Sequence, residues 1–482
     1  MSVRVRFAPS PTGFLHIGGV RTALYCWLWA KKQGGEFVLR IEDTDAARST
    51  GEAVEVVLES MRWLGLDWDE GPGVGGEHGP YFQTKRTDIY KEHAEKLIAS
   101  GHAYRCFATK EETAAQREAY EKEHGKKGFR FRSPWRDRTD GDASQPHSIR
   151  FKTPTDGECA WDDLLRGTIT VSNTEQQDFV LMRPNGLPLY NFGCVVDDLT
   201  MGITLVARGD DHMVNTPPQL LLYEAFGAKA PQFAHLPMVL GPDGKKLSKR
   251  HAAVSVLEYR DQGYLPDGVI NYLARLGWSH GDQEIFTRAE LIEKFSWEHV
   301  GTAAGKYDGK KFEHVQAQHL RMLDDAELAK GVVPYLAANG LEVEATNTKL
   351  IAAIEHVKLR CATYIELADG LDYFFRADDG LEYQPKGKRK FLTPDYVGNL
   401  ERLASIVEET VPFEADKLEE AVNAWVLADG IKMKVVAQPA RVALSGRMQS
   451  PGLYDTLVIL GQEACLTRLR RGAEVAASNT GD

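Results

Sequence analysis

No apolar run in this chain is long enough to cross a bilayer, so a membrane-spanning helix is not expected. The N-terminus lacks the apolar core of a signal peptide, and Val3 to Phe7 already alternate like a strand. Cysteine is scarce: six in 482 residues, at 26, 106, 159, 194, 361 and 465, with no paired spacing. That argues against a disulfide framework and fits a reducing cytosol, so a cytoplasmic protein is expected. Internal repeats and low-complexity tracts are missing. So is net positive charge: 58 Lys and Arg face 69 Asp and Glu, a balance of −11. Such a balance argues against a general nucleic-acid binder and leaves room only for a locally basic face. What is present is a globular composition, 43% hydrophobic and 26% charged, in a chain long enough for several domains.

The first part reads as α/β. Val3-Arg4-Val5-Arg6-Phe7 is a strand pattern, and Val20 to Lys32 a helix pattern free of Pro and Gly. Glu36 to Ile41 is a second strand, ended by Glu42-Asp43-Thr44-Asp45, and Glu52 to Leu64 a second helix. Strand, helix, strand, helix implies a parallel sheet with right-handed crossovers. Residues 85–180 break the pattern with a charged helical segment, Glu111 to Glu123, and a basic loop, Lys126 to Arg132, which reads as an insertion. The α/β pattern resumes at Tyr190 to Arg208, with Gly202 to Arg208 a buried strand. From about residue 315 the chain turns helical, with apolar residues at three- and four-residue spacing over Lys349 to Phe375 and Asp455 to Arg471. The small polar tail from Ala473 is expected to fray.

Two segments carry the chemistry. His16-Ile17-Gly18-Gly19 joins the first strand to the first helix. Unpaired N–H groups and the helix dipole make that junction a docking point for phosphate. Its glycines admit a nucleotide to the backbone, and His16 can donate to a phosphate oxygen. Gly244-Lys245-Lys246-Leu247-Ser248-Lys249-Arg250 presents clustered ammonium groups on a glycine turn, suited to a triphosphate. Taken alone, the lysine loop is more simply a solvated turn and His16 a structural histidine. The sheet edge also gathers Arg6, Glu42 and Arg208 at strand ends, where such folds bind ligands. Arg6 and Arg208 can grip carboxylates, and Glu42 can hold an ammonium. The rival roles are an exposed strand residue for Arg6, a helix cap for Glu42, and a structural ion pair for Arg208 beside Asp210 and Asp211.

Together these segments resemble the class I aminoacyl-tRNA synthetases, and within them the bacterial glutamyl-tRNA synthetase family. The matching text includes Arg6 to Ala23, Arg40 to Asp45, Val195 to Asp198, Arg208 to His212, His235-Leu236-Pro237, Lys246 to Arg250 and Arg441 to Gly446. The resemblance implies an α/β Rossmann-like catalytic domain with an α+β insertion, followed by an all-helical C-terminal anticodon-binding region. The expected boundaries are 1–84 with 181–240 for the split catalytic domain and 85–180 for an acceptor-stem-binding insertion. A signature-loop and stem-contact domain at 241–314 and two helical anticodon-binding domains at 315–380 and 381–482 complete the series.

The implied reaction has two steps: glutamate attacks the α-phosphate of ATP, and the acyl group then passes to the terminal adenosine of tRNA(Glu). By the resemblance His16, Lys246, Ser248 and Lys249 are catalytic, and His16, Gly18, Gly19, Asp211 and Lys249 bind ATP. Arg6, Ala8, Ser10, Glu42, Tyr190, Cys194 and Arg208 fall at glutamate-pocket positions. Arg360 is the candidate for reading the anticodon, with a helix-surface arginine the alternative; Lys126 to Arg138 are candidates to track the acceptor stem, by default a solvated face, and Lys386 to Lys390 read most simply as a linker loop. Mg²⁺ is expected with ATP. Zinc, which some relatives hold in the insertion, is not, because Cys106 is the only thiol of the expected site and one thiol cannot make a tetrahedral centre. The expected protein is a monomer that charges tRNA(Glu), with tRNA(Gln) left open as a second substrate. The usual terminal histidine of the first signature is Gly19 here, which removes one phosphate donor. The competing readings are a glutaminyl enzyme, whose anticodon region is built of β-barrels, a nucleotidylyltransferase without tRNA, and a weakly catalytic tRNA-binding paralogue.

Overall fold

The computed structural model describes residues 2–11, 15–45, 49–125, 128–245, 247 and 255–479. The chain divides into two compact units, Met1–Asp261 with Val269–Phe312, and Gln262–Gly268 with Glu313–Asp482.

The first unit begins with β1 (Arg4–Phe7), α1 (Ile17–Lys32), β2 (Glu36–Leu39) and α2 (Gly51–Trp63). Helix α1 starts earlier than its apolar pattern suggests, and the two glycines expected in a turn lie in its first turn. The reason is the cap: His16 is extended, and its Nδ1 accepts the Gly19 N–H at 3.3 Å. Next come α3 (Thr87–Ala99), β3 (Ala103–Cys106), α4 (Lys110–His124), β4 (Ser148–Phe151), β5 (Glu158–Asp163), β6 (Gly167–Ser172) and β7 (Val180–Met182). They are followed by α5 (Tyr190–Thr200), β8 (Leu205–Gly209), α6 (Thr216–Ala225) and β9 (Gln232–Leu236).

The main sheet has the order β2-β1-β8-β9-β5-β6, parallel except for the β5–β6 hairpin. From β1 the chain moves to one side, to β2, and later resumes at β8 on the other. The strand order therefore reverses between β1 and β8, and a crevice opens at their carboxyl ends. A second, antiparallel sheet pairs β4 with β3 and β7. Residues 158–172 were expected inside the insertion, yet they extend the main sheet, with Asp163 of β5 paired to Phe233 of β9. Alternation explains this: Cys159, Trp161 and Asp163 are buried while their neighbours are exposed, and Trp161 joins a core cluster with Val206 and Phe233.

The described part of the second unit is helical and contains no strand. Its buried apolar residues form one cluster running from Leu265 to Ala476, on both sides of residue 380. The two segments with helical apolar spacing each hold two helices. Thr348–Val357 and Tyr364–Leu371 are separate because Thr363 is extended and caps the second by accepting the Glu366 N–H. Leu453–Leu460 and Gln462–Ser478 are separate because Gly461 has a φ of 88°. Lys386 to Lys390, read as a linker loop, lies in the helix Pro385–Phe391, with Gly387 buried where a Cβ would meet Met448 and Val442. The tail is helical to Ser478, because Ala473 and Ala476 are buried.

Candidate active site

A cavity of about 980 Å³ opens at the carboxyl ends of β1 and β8. It brings together Arg6, His16, Glu42, Tyr190, Arg208 and Asp211, with Ala8, Ser10, Gly18 and Gly19 also on its wall. Residues far apart in sequence meet because strands β1, β2 and β8 all end at this edge. Cys194, expected among the pocket residues, is not part of the wall. It is buried behind Arg6, its Sγ 3.7 Å from the Arg6 Nη2, and burial pushes its thiol up to about 12.

The two arginines differ in their partners. Arg6 leaves β1 and donates from Nε to Asp198 Oδ1 at 3.1 Å, so its charge is already paired. Asp198 belongs to a buried cluster that sequence reading did not assign. Arg40 is fully buried and donates to Asp198 Oδ1 at 2.7 Å and to Glu42 Oε1 at 3.0 Å. On α5, Asp197 accepts from Arg86 Nε at 2.7 Å, Gln83 Nε2 at 2.8 Å and the Tyr90 hydroxyl. Three guanidiniums, Arg6, Arg40 and Arg86, thus balance three carboxylates, Glu42, Asp197 and Asp198. The signal lay in Val195-Val196-Asp197-Asp198, two acids on an otherwise apolar helix.

Arg208 is also buried, yet among the described residues no carboxylate touches it. Its Nε donates to His235 Nε2 at 3.1 Å, its Nη1 to Gln219 Oε1 at 2.8 Å and its Nη2 to Thr216 Oγ1 at 2.8 Å. The rival ion pair is not formed: Asp210 accepts from Arg166 at 3.1 Å instead. Arg208 therefore brings an unneutralised charge to the cavity wall, while Arg6 brings a neutralised one. That makes Arg208 the stronger site for an anionic group.

Glu42 ends the β2 segment as a buried wall residue, not as a helix cap. Burial raises its carboxyl above the usual range, against the pull of Arg40 and Arg6. Asp198 moves the other way: burial opposes its charge, but Arg6 and Arg40 outweigh this and hold it below the usual range. Tyr190 is raised by burial, and its hydroxyl lies 3.0 Å from His212 Nδ1. His212, on the cavity wall, is lowered by burial and by Arg208.

The expected catalytic Lys246, Ser248 and Lys249 lie outside the described residues, as do 12–14 and 126–127. Leu247, between two of those three, lines the cavity. In the smaller sheet region the Cys106 thiol donates to Ser133 Oγ at 3.2 Å. Arg132 and Arg136, within the basic 126–138 stretch, converge on the buried Asp178. In the second unit Arg360 ends a short turn, Lys358–Arg360, and its Nη1 donates to the Ser450 carbonyl at 2.8 Å. It lines a cavity of about 500 Å³ with Gln384, Lys386, Arg447 and Gln449.

The fold and this edge define an α/β protein with a charged cavity at the carboxyl ends of its parallel strands, and a helical unit. Comparison with known proteins agrees. Residues 2–314 match the family model of the class I tRNA synthetases (E and Q), catalytic domain, and 327–473 match an anticodon binding domain. A glutamate–tRNA ligase of Anaeromyxobacter sp. (strain Fw109-5) is 51% identical over 466 residues, 97% of this chain and 98% of that protein. One from Geobacter sulfurreducens is 45% identical over 469 residues, again 97% and 98%. The crystal structure of a glutamate tRNA ligase from Elizabethkingia meningosepticum in complex with its amino acid superimposes with a TM-score of 0.88. It is 32% identical, with 98% of this chain and 99% of that one covered. The chain belongs to the class I tRNA synthetases of the glutamyl and glutaminyl branch.

Proposed function

We infer that this protein attaches glutamate to its tRNA. An α-carboxylate oxygen of glutamate attacks the α-phosphorus of ATP, the bond to pyrophosphate breaks, and glutamyl-adenylate forms. A ribose hydroxyl of the terminal adenosine of the tRNA then attacks the acyl carbonyl and releases AMP. The observation that carries the choice of amino acid is Arg208, whose charge is held by neutral acceptors only. A side-chain carboxylate neutralises it; the amide of glutamine does not. Glu42 receives the substrate ammonium, and Arg6, Ala8, Ser10 and Tyr190 complete the pocket, with Cys194 supporting Arg6 from behind.

His16 caps α1 through Nδ1, which puts its ring proton on Nε2, the atom that donates to phosphate. Gly18, Gly19 and Asp211 shape the nucleotide end of the cavity. Lys246, Ser248 and Lys249 are proposed to neutralise the triphosphate as pyrophosphate leaves. Catalysis then rests on positioning and on charge stabilisation, not on a covalent enzyme intermediate. Mg²⁺ fits this site as a companion of ATP: phosphates and water would supply most of its ligands, and Asp211 on the cavity wall would offer a carboxylate oxygen. When bound, it would offset phosphate charge.

The cavity supports catalysis by the first unit; the inserted segment from residue 85 is assigned acceptor-stem contact, and 241–314 further stem contact. The helical 315–380 and 381–482 portions would hold the anticodon, read in part by Arg360. Single-stranded loops offer unstacked bases to such side chains. Six buried, unpaired thiols support a reducing compartment, the cytosol, and the working form is taken as a monomer. tRNA(Gln) is the alternative acceptor, and an arginine at 360 counts against it. The test is ATP–pyrophosphate exchange and tRNA charging with glutamate and with glutamine, with and without tRNA(Glu). Glutamate-dependent exchange and charging are expected. Absence of both, or preference for glutamine, overturns the proposal.

A further inference from the structure

Behind the cavity wall a chain of buried polar groups runs away from Arg208. His235, on β9, is fully buried, and its two ring nitrogens face different partners. Nε2 lies 3.1 Å from Arg208 Nε and 3.1 Å from Thr216 Oγ1. Nδ1 lies 2.5 Å from Asp163 Oδ2. A guanidinium only donates, so Nε2 must be the accepting nitrogen, and the single ring proton sits on Nδ1, donated to Asp163. The other carboxylate oxygen, Asp163 Oδ1, accepts backbone N–H groups of Leu165, Arg166 and His235 at 3.0, 3.1 and 3.3 Å. Burial opposes the Asp163 charge, but these bonds and His235 hold its carboxyl below the usual range.

We propose that Asp163 and His235 are positioning residues that set Arg208 for the substrate side-chain carboxylate by fixing one imidazole tautomer. The inference rests on the glutamate-binding role of Arg208 given above. A carboxylate in direct contact would also orient Arg208, but it would cancel the charge the substrate needs. Inserting a neutral imidazole between Asp163 and Arg208 transmits orientation without neutralisation. Gln219 and Thr216 complete the arrangement. Three of the five Arg208 N–H groups are thereby engaged. One on Nη1 and one on Nη2 remain, the pair that a carboxylate accepts in a two-point contact.

This makes a specific prediction for Asp163→Asn. Three backbone N–H groups already require an acceptor at the Oδ1 position, so the new amide oxygen takes that place. Its NH₂ then faces His235 Nδ1 and donates to it, which drives the ring proton to Nε2. A donor there opposes the Arg208 Nε–H, and the guanidinium turns. Losing a hydrogen bond to a charged group is worth roughly a tenfold to hundredfold change. In tRNA charging by the full chain, Asp163→Asn and His235→Phe should each raise the KM for glutamate about tenfold or more. The KM values for ATP and tRNA should hold within about twofold, because neither ligand reads Arg208. His235→Gln, whose Oε1 can accept in the Nε2 place, should restore most of the loss. In protein labelled with ¹⁵N-histidine, the ring signals missing from His235→Gln should report a protonated Nδ1 and a bare Nε2 in the unsubstituted chain.

Unchanged glutamate KM in both loss variants overturns the proposal, as does a proton on Nε2 in that spectrum. The spectrum decides even where Asp163→Asn does not fold. Arg208→Ala separates the two layers. If it leaves the glutamate KM unchanged, the glutamate-binding role of Arg208 itself falls. If it raises that KM while Asp163→Asn and His235→Phe do not, only the positioning role falls.

Discussion

Replacing Asp198 with asparagine keeps the side chain's size and removes one charge from a buried, balanced cluster. In the native chain Asp198 Oδ1 accepts from Arg40 at 2.7 Å and Arg6 at 3.1 Å, and its Oδ2 faces the Cys194 thiol at 3.5 Å. Hydrogen bonds to charged groups are worth about 1.5–3 kcal/mol each, and an amide oxygen can retain part of one. Stranding a buried charge by removing its partner costs about 3–5 kcal/mol. No cavity is created, so packing adds nothing, and about 3–5 kcal/mol is the expected loss for Asp198→Asn. Tryptophan fluorescence is the natural probe, since eight of the nine tryptophans (27, 29, 63, 68, 135, 161, 278 and 297) lie in the first unit. With a urea slope of about 3 kcal/mol/M, the midpoint of that transition should fall by about 1 M or more. The pH dependence gives a second check. The Asp198 pKa is lowered in the folded state, so its contribution is complete above the unfolded carboxylate value and is lost as pH falls through the folded one. The gap between native and Asp198→Asn proteins should therefore close in acid. A midpoint change equivalent to less than about 1 kcal/mol at neutral pH, or a gap that widens in acid, would refute the role given to this cluster.

Glutamate binding should weaken as pH falls through the raised Glu42 pKa, above the ordinary 4.5, because the protonated carboxyl cannot hold an ammonium; isothermal titration across that range should also show proton release on binding. Folding has the opposite sign: stability linked to Glu42 is greatest when it is protonated and declines as pH rises through its folded value. His16→Asn should keep the N-cap, since asparagine caps well, and so leave the melting temperature nearly unchanged while lowering kcat about 10²-fold through loss of the phosphate donor. Gly446→Ala should destabilise the second unit by about 2 kcal/mol or more, read as a lower midpoint in circular dichroism. Gly446 has a φ of 71°, and a Cβ there would stand 2.1 Å from the Glu382 carbonyl oxygen, a clash that backbone must relieve.

The convergence of residues on the cavity edge was legible because it is written locally. A strand pattern, His16 with two glycines, a helix pattern, and Arg6, Glu42 and Arg208 at strand ends each depend on residues near one another in sequence. What remained hidden depends on pairings across the fold. Arg40 meets Asp198 across 158 positions, and Asp163 meets His235 across 72. Charge on a strand end or on a helix face does not say which opposite charge will arrive. The two acids after Val195-Val196 and the histidine in Phe233-Ala234-His235-Leu236 were visible signs of buried polar groups, but not of their partners. The β5–β6 hairpin shows the same limit: its alternation identifies a strand, while membership of the main sheet is decided by Trp161 packing on Val206 and Phe233. At Lys386 to Lys390 charge suggested a loop, and the burial of a single glycine against Val442 and Met448 made it a helix.

The central claim is that one cavity holds an amino acid's carboxylate on Arg208 and a nucleotide's phosphate beside His16. A crystal structure of the full chain with an unreactive sulfamoyl analogue of glutamyl-adenylate measures both contacts at once. The side-chain carboxylate should accept from Nη1 and Nη2 of Arg208, the ammonium should face Glu42, and the sulfamoyl group should lie at the first turn of α1. An analogue bound with its carboxylate away from Arg208, or with its nucleotide outside this cavity, would contradict the account.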